Sequence, residues 1–451
     1  VVRALVVGGG LVGSTLAARL ARDQHDVVIV ENDRERLQGL AEDLDVQVVS
    51  GNGTSVEVLR RAGIGECDVL FACTSSDEAN MVVALVASAL FKVPRVVARL
   101  RHRDHEASFR AIAEGLPGEH VCINPDQAAV EKIMSLLPVP GATDVVTFLD
   151  GRLIIAGFPI PAGSDFEGLL LSHLRLLFPS PRVLAVAIRR GEQSFVPHGE
   201  DEFRAGDLAY FAVDPQELDN VLKLLGVRRG REERVMIAGA TRIGLEVAHR
   251  LEAANVAVTL FEEDLGVAED AAAQLKRTVV VRALATDRDV LEEEGIERAS
   301  AFVACTEDSS LNVMASLLAR RLGAARAFTL VDNPALARIV GDLGIDAVVS
   351  PRLLTVGLAV QFVRRGRVRA AAALMEDLVE LVEIEVESGS RLVGPPLAEL
   401  GLPRGTLVAA LLRDKSVLVP AGEDRILVGD RALLITSTSR AAELDAFVGG
   451  Q

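Results

Sequence analysis

Tryptophan is absent from this chain of 451 residues, and Tyr210 is its sole tyrosine. Base-stacking platforms for nucleic acid need several aromatic side chains, so that class is excluded. Basic residues are outnumbered, 48 Lys and Arg against 64 Asp and Glu, for a formal charge of −16. A broad basic footprint is therefore missing, although a small anionic ligand answers to local geometry instead. The four cysteines, Cys67, Cys73, Cys122 and Cys305, lack paired metal-ligand spacing and read as reduced, mostly buried thiols. No apolar run approaches the roughly 20 residues of a membrane-spanning helix; Met81–Phe91 is the longest without charge. Glycines begin at Gly8, before a secretory apolar segment can form. The expectation is a soluble, cytosolic protein, and 49% hydrophobic residues suffice for several buried cores in two to four domains.

What is present is a tandem repeat. Arg3-Ala-Leu-Val-Val-Gly-Gly-Gly-Leu-Val-Gly13 recurs as Arg234-Val-Met-Ile-Ala-Gly-Ala-Thr-Arg-Ile-Gly244. Glu31 then matches Glu262, Thr54 matches Thr286, Ala72-Cys-Thr74 matches Ala304-Cys-Thr306, and Asn80 matches Asn312. A shorter repeat follows each copy: Pro197-His-Gly-Glu-Asp201 with Gly206-Asp207 returns as Pro420-Ala-Gly-Glu-Asp424 with Gly429-Asp430. Each half is thus a larger unit followed by a smaller one. Boundaries fall at Pro138–Gly141, at the charged Arg228–Glu233 and at Arg364–Arg369.

In the larger unit, Leu5–Val7, Val27–Val30, Val46–Val49, Val69–Cys73, Val96–Ala98 and Val121–Ile123 are continuous apolar runs. Such runs mark strands buried on both faces, and the helical spacing of Val12, Leu16 and Leu20 lies between the first two. Alternating strand and helix predicts an α/β, doubly wound parallel sheet of Rossmann type. The smaller units, roughly 143–225 and 378–448, show short alternating segments and Gly-Asp turns, predicting a compact α+β or β-rich module.

Gly8-x-Gly10-x-x-Gly13 closes a strand and opens a helix, the context of a dinucleotide fingerprint. Gly8 permits the turn, Gly10 lets backbone approach a pyrophosphate, and Gly13 allows close helix–strand packing. Phosphates would rest on the free N–H groups of the helix start, at Leu11, Val12 and Gly13. Glu31, at the end of the second strand, can accept from ribose hydroxyls and would repel a 2′-phosphate, favouring NAD or an adenine nucleotide over NADP. Further strand ends face the same crevice: Gly51, Asn52 and Thr54; then Thr74, Ser75, Glu78 and Asn80; then Arg99 and Arg101, whose guanidinium forks suit phosphate. Taken singly each is ordinary, since Thr and Asn are common caps and surface arginines are usually solvated. Their joint placement points to a ligand.

The second copy differs. Thr241 replaces the middle glycine, Ala283 and Ala285 replace Gly51 and Gly53, and Val331 and Asn333 replace Arg99 and Arg101. Glu262 persists, so the second unit reads as a Rossmann fold kept for shape and contacts. Catalytic groupings are sparse: no Tyr-x-x-x-Lys pair exists and lysine is scarce. His102 and His105 have no carboxylate or cysteine placed beside them by sequence, so they read as a polar loop, with no metal site assigned. Asp201, Asp207, Asp424 and Asp430 sit in turns and read as structural.

Two large Rossmann units, each followed by a small module, resemble the TrkA family. These are cytosolic regulatory subunits of Trk-type bacterial potassium uptake systems, built from tandem RCK domains. The resemblance rests on Gly8–Gly13, Val48–Thr54, Ala72–Met81, Ala98–Arg101 and the Gly-Asp turns. The chain departs from the usual family pattern at Asn52, where many relatives carry Asp, and at Thr241. The resemblance implies RCK-N over 1–140, RCK-C over 141–226, a degenerate RCK-N over 231–370 and RCK-C over 371–451. It also implies no catalysis, a homotetrameric ring on the inner face of the cell membrane beneath a membrane-embedded Trk-type channel subunit, and gating by NAD(H), or by ATP or ADP at the same site. The alternative from residues alone is an NAD-dependent oxidoreductase with a duplicated fold, which would need a proton donor beside the nicotinamide.

Overall fold

The computed structural model describes the chain except at 179–182, 192, 228–233, 334–335, 338, 341–342, 364–367, 375–378, 404, 415 and 449–451. The linker read at Arg228–Glu233, and the start of the one at Arg364–Arg369, lie outside the described residues. Two compact units form, one from 1–131, 331–337 and 350–364, the other from 132–330, 338–349 and 365–451.

In the first unit, β1 (Arg3–Val7), β2 (Asp26–Glu31), β3 (Gln47–Ser50), β4 (Val69–Ala72), β5 (Arg95–Arg99) and β6 (Glu119–Ile123) make one sheet, ordered β3-β2-β1-β4-β5-β6. Every pairing in it is parallel. The unbroken apolar runs follow from the pleat. Leu5, Val7, Val28, Val30, Leu70 and Ala72 enter the core on one face, and Ala4, Val6, Val27, Ile29, Val69 and Phe71 enter the core on the other. Five helices accompany these strands: α1 (Leu11–Arg22), α2 (Arg34–Asp43), α3 (Val56–Arg61), α4 (Asp77–Phe91) and α5 (Arg103–Ala113). Leu16 and Leu20 of α1 are fully buried, each such side chain stabilising the fold by about 1.5–3 kcal/mol.

A helix from far along the chain, Pro351–Val363, completes the core of this first unit. Its Val356, Ala359 and Val363 pack with Leu16 and Leu20. Arg352 Nε donates to Thr15 Oγ1 at 3.0 Å. Arg95 Nη1 donates to the carbonyls of Phe362 and Val363 at 2.9 and 2.7 Å, a cation on a helix C-terminus where the dipole favours it.

In the second unit, β7 (Asp144–Phe148), β8 (Leu153–Pro159), β9 (Val183–Arg190), β10 (Gln193–Phe195) and β11 (Leu208–Val213) form a sheet ordered β10-β9-β11-β8-β7. The second parallel sheet comprises β12 (Arg234–Ala238), β13 (Ala257–Glu262), β14 (Val279–Arg282), β15 (Ala301–Ala304), β16 (Ala327–Leu330) and β17 (Ala347–Val349), ordered β14-β13-β12-β15-β16-β17. Last come β18 (Val368–Leu374), β19 (Val379–Glu385), β20 (Leu407–Arg413), β21 (Ser416–Leu418) and β22 (Arg431–Ser437), ordered β18-β19-β22-β20-β21. Both five-stranded sheets are antiparallel. They share one core, in which Phe148, Ile155, Val186 and Tyr210 meet Leu381, Ala409, Leu433 and Ile435.

The Gly-Asp turns of these modules carry buried ion pairs. Asp207 receives both Arg190 Nε and Nη2, at 2.8 and 2.7 Å, plus the Arg204 N–H. Asp430 receives Arg413 and the Leu427 N–H in the same pattern. Each fork also reaches a turn carbonyl, that of Glu202 or Arg425, so the aspartates hold the turns closed.

Candidate nucleotide-binding site

The glycine turn after β1 forms because only glycine fits its tightest points. Gly8 has φ +103°, and a Cβ there would lie 2.9 Å from the Thr74 nitrogen. A Cβ at Gly13 would come within 1.9 Å of the Gly8 carbonyl oxygen, so α1 could not pack so near β1. Gly10 is different. It precedes α1 with no side-chain cap, and a Cβ there would meet only Arg36 Nη1, at 3.9 Å. The N-terminus of α1, with the N–H groups of Leu11, Val12 and Gly13, therefore opens onto free space carrying the positive end of the helix dipole.

Glu31 is buried at the end of β2 and holds this turn. Its Oε2 accepts the Gly9 N–H at 2.6 Å, while Oε1 accepts the N–H groups of Asn32 and Asp33 at 2.7 and 2.9 Å. One acceptor position remains on Oε2 for a ribose hydroxyl. Glu262 repeats the arrangement, accepting the N–H groups of Ala240 and Asp264 at 2.8 and 3.1 Å. That tether explains why the glutamate persists in a copy that has lost its glycine.

The next loop is also shaped by its backbone. Gly51 donates to the Glu31 carbonyl at 2.9 Å, and a Cβ at Gly53 would lie 2.1 Å from Val7 Cγ1. Asn52 Oδ1 accepts both the N–H and the hydroxyl of Thr54, each at 3.0 Å, which fixes the tip as an Asx turn.

Asn80 and Thr74 are placed as positioning groups. Asn80 is fully buried, and its Oδ1 accepts the Thr74 N–H and hydroxyl at 2.8 and 2.7 Å. Its Nδ2 donates to the carbonyls of Thr74 and Arg99 at 3.2 and 2.8 Å. All four hydrogen-bonding positions of the amide are filled, so Asn80 clamps the ends of β4 and β5 and has none left for a ligand. Thr306 and Asn312 form the same network in the second unit. Ser75 is exposed at the rim. Ser76 caps α4 through the Ala79 N–H and donates to Glu78 Oε2 at 2.7 Å, a bond that holds the exposed Glu78 carboxyl below its ordinary pKa.

Arg99 carries the least compensated charge of the crevice. Its residue is only 7% exposed, its Nη1 donates to the Thr74 carbonyl at 3.2 Å, and its Nε has no partner. Among the described residues no carboxylate forms an ion pair with it, and burial pulls its pKa down. Arg101 lies two residues on, exposed. A buried cation without a counterion costs several kcal/mol, which an anion entering the crevice would offset.

The equivalent crevice of the second unit has a different lining. Thr241 fills the open position: its hydroxyl donates to the Cys305 carbonyl at 2.8 Å and accepts the Gly244 N–H at 3.2 Å, capping the helix. The strand register corrects the sequence pairing of Arg99 with Val331: Ala98 lies beside Ala72 as Thr329 lies beside Ala304, so the buried Leu330 stands where Arg99 does and Asp332, not Asn333, follows at the place of Arg101. The remaining space, about 440 Å³, is lined by Glu262, Glu263, Glu307 and Asp308 with apolar neighbours such as Phe261 and Leu311. Acid replaces base.

Sequence reasoning passed over Asp77. The side chain is 6% exposed and accepts from the N–H groups of Arg101 and His102, both at 2.9 Å, and faces both imidazoles. Its place beside Glu78 in a helix start gave no signal, because the partners come from the next strand-end loop. The cysteines are inert thiols: burial pushes Cys67, Cys73 and Cys305 up to about 12, and Cys122 up to about 11.

Comparison with known proteins agrees with this architecture. The TrkA-N domain model matches residues 4–125 and 235–351, and the TrkA-C domain model matches 155–226 and 381–449. A Trk system potassium uptake protein TrkA from Azorhizobium caulinodans is 35% identical, covering 96% of this chain and 95% of that protein. Proteins of the same name from Halomonas elongata and Haemophilus influenzae are 33% and 32% identical, each over 97% of this chain and 96% of the relative. The solved GsuK channel bound to NAD shares the fold at a TM-score of 0.61 and 20% identity, covering 100% of this chain and 79% of that one. The GsuK RCK domain does so at 0.62 and 20%, covering 100% and 95%. These relatives are potassium uptake proteins and channels rather than enzymes, and no helix among the described residues is long and apolar enough to cross a membrane. The chain belongs to the TrkA family, with two TrkA-N and two TrkA-C domains in tandem.

Proposed function

We propose that the crevice of the first unit binds an adenine nucleotide, NAD(H) foremost and ATP or ADP at the same place. On this reading the chain is a peripheral, cytoplasmic regulatory subunit that gates a membrane-embedded Trk-type potassium channel subunit, working as a homotetramer. The observation that carries the reading is Arg99, a buried guanidinium with no ion-paired carboxylate among the described residues, at the end of β5 in the sheet whose β1 leads into the uncapped N-terminus of α1. Pyrophosphate supplies the missing anion to both. Gly10 leaves room for it, Arg101 reaches it from the exposed side, and the last acceptor position of Glu31 takes a ribose hydroxyl. The GsuK channel, solved with NAD, lends support through the shared fold. A ligand gates a partner only through different affinity for two states of the assembly. A crevice built from strand-end loops suits that task, because the ligand bridges groups that come from separate strands of the sheet.

Titration calorimetry of the full chain with NAD, NADH, ADP and ATP tests the binding step. Saturation near one nucleotide per chain, with Arg99→Met at least about tenfold weaker, is the expected result. NADP should bind much more weakly than NAD, because its 2′-phosphate would face the Glu31 carboxylate. No binding of any adenine nucleotide would remove the reading.

A further inference from the structure

We propose that Asp77, His102 and His105 form a site for a transition-metal ion of the zinc class. The three side chains come from two loops: Asp77 opens α4, while His102 precedes α5 and His105 lies in its first turn. Their ligand atoms lie within 4.8 Å of one another. His102 Nδ1 stands 3.1 Å from Asp77 Oδ2, and His105 Nδ1 stands 3.3 Å from the same oxygen. A tetrahedral ion with bonds of about 2.0–2.1 Å has ligand–ligand edges of about 3.3–3.4 Å. The two distances to Asp77 Oδ2 are close to such an edge, and the two ring nitrogens lie within 4.8 Å of each other.

Hydrogen bonding alone accounts poorly for this convergence. Asp77 Oδ2 already accepts two backbone N–H groups, those of Arg101 and His102, each at 2.9 Å. Two imidazole nitrogens aimed at that same oxygen bring four nitrogen neighbours to an atom with about two lone-pair positions. One cation shared by the oxygen and both rings replaces the two ring contacts with a single ionic bond, with both histidines neutral. The amides then act as the outer bonds that orient a ligating carboxylate.

The donor set selects the ion. Two imidazoles and one carboxylate suit zinc, copper, nickel or cobalt, whereas calcium and magnesium require oxygen donors. His102 is largely exposed and His105 partly so, which gives an ion access and leaves a fourth position for water. The second repeat has Ser309, Asn333 and Leu336 at the matching positions of the sequence, so the site belongs to one half only.

The test is zinc titration of chelator-treated full-length protein, in competition with a chromophoric chelator, beside a His102→Ala/His105→Ala double variant. The site predicts one zinc per chain at micromolar affinity or tighter, lost in the double variant, with no competition from millimolar calcium or magnesium. Cobalt(II) should give the visible bands of a tetrahedral nitrogen–oxygen site without thiolate charge transfer. Asp77→Asn should weaken binding at least about tenfold. Because the histidines lie at the surface, unchanged circular dichroism and thermal unfolding of the double variant establish that its fold is intact. Absence of zinc binding by the wild type, or equal affinity in a folded double variant, would overturn the proposal.

Discussion

Thr241 takes nearly the capping torsions of Gly10, φ −67° and ψ 169° against φ −67° and ψ −170°, and fills with a side chain the space Gly10 leaves open. The two halves thus have one backbone design at this point and opposite surface chemistry. Where Gly10 leaves the first N–H groups of α1 without a side-chain cap, Thr241 satisfies an N–H itself, and Leu330, at the place of Arg99, needs no counterion. The duplication has produced one crevice lined by a buried arginine and one lined by acidic and apolar side chains.

Gly10→Val should abolish nucleotide binding without harming the fold. A Cβ at Gly10 meets nothing closer than 3.9 Å, so thermal unfolding of the unliganded protein should be unchanged within about 2 °C. Calorimetry should then show no heat with NADH or ADP. Undiminished binding would locate the nucleotide elsewhere.

Arg99→Met should separate binding from stability. Removing a buried cation that forms no ion pair, and whose charge Asp126 and Asp77 offset only in part, relieves a desolvation cost, so the unliganded variant should unfold at the same temperature as wild type or higher. Its nucleotide affinity should fall at least about tenfold, and added nucleotide should no longer raise its unfolding temperature. A destabilised variant would mean that the guanidinium is satisfied inside the protein.

Asn80→Ala should act through structure. It strips partners from the Thr74 N–H and the Arg99 carbonyl and leaves the Thr74 carbonyl only its bond from Arg99 Nη1, costing about 2–4 kcal/mol. Asn312→Ala should cost a similar amount through its identical network, although no nucleotide is expected there. Denaturant unfolding of both variants is the measurement. A loss confined to Asn80 would imply a role that geometry does not give it.

The strands were legible because both faces of the parallel sheet are buried: Val27–Val30 and Val69–Cys73 are uninterrupted in sequence for the reason that they face two cores. The glycine turn was legible because Gly8 and Gly13 have no substitute in its geometry. What escaped depends on contacts between distant segments. Nothing local marks Arg99 as buried, since an arginine ending a strand is usually solvated, and its isolation shows only once β4 and β6 flank it. Helix Pro351–Val363 reads as part of the repeat that precedes it, yet Arg95 caps its last turn in the first unit. Asp77 meets His102 and His105 only through the parallel pairing of β4 with β5.

Acid should weaken the second unit through Glu252. Burial raises the pKa of its carboxyl, but the N–H groups of Arg277 and Thr278 and the Thr278 hydroxyl outweigh it and hold the carboxyl at about 2, below its ordinary 4.5. The unfolded chain therefore takes up this proton first as pH falls. The stabilisation is complete above about pH 4.5 and is lost as pH drops toward about 2. Unfolding midpoints of Glu252→Gln, followed from pH 6 to 3, should decline less steeply than those of wild type; parallel curves would contradict this.

The decisive measurement is potassium flux through a Trk-type channel subunit reconstituted with this chain, with and without NAD, NADH, ADP and ATP, for wild type and Gly10→Val. The account predicts that at least one nucleotide changes flux severalfold with wild type, while Gly10→Val still co-purifies with the channel and gives a flux that no nucleotide alters. Equal nucleotide responses in the two proteins, or a channel indifferent to every nucleotide in the presence of wild type, would contradict it.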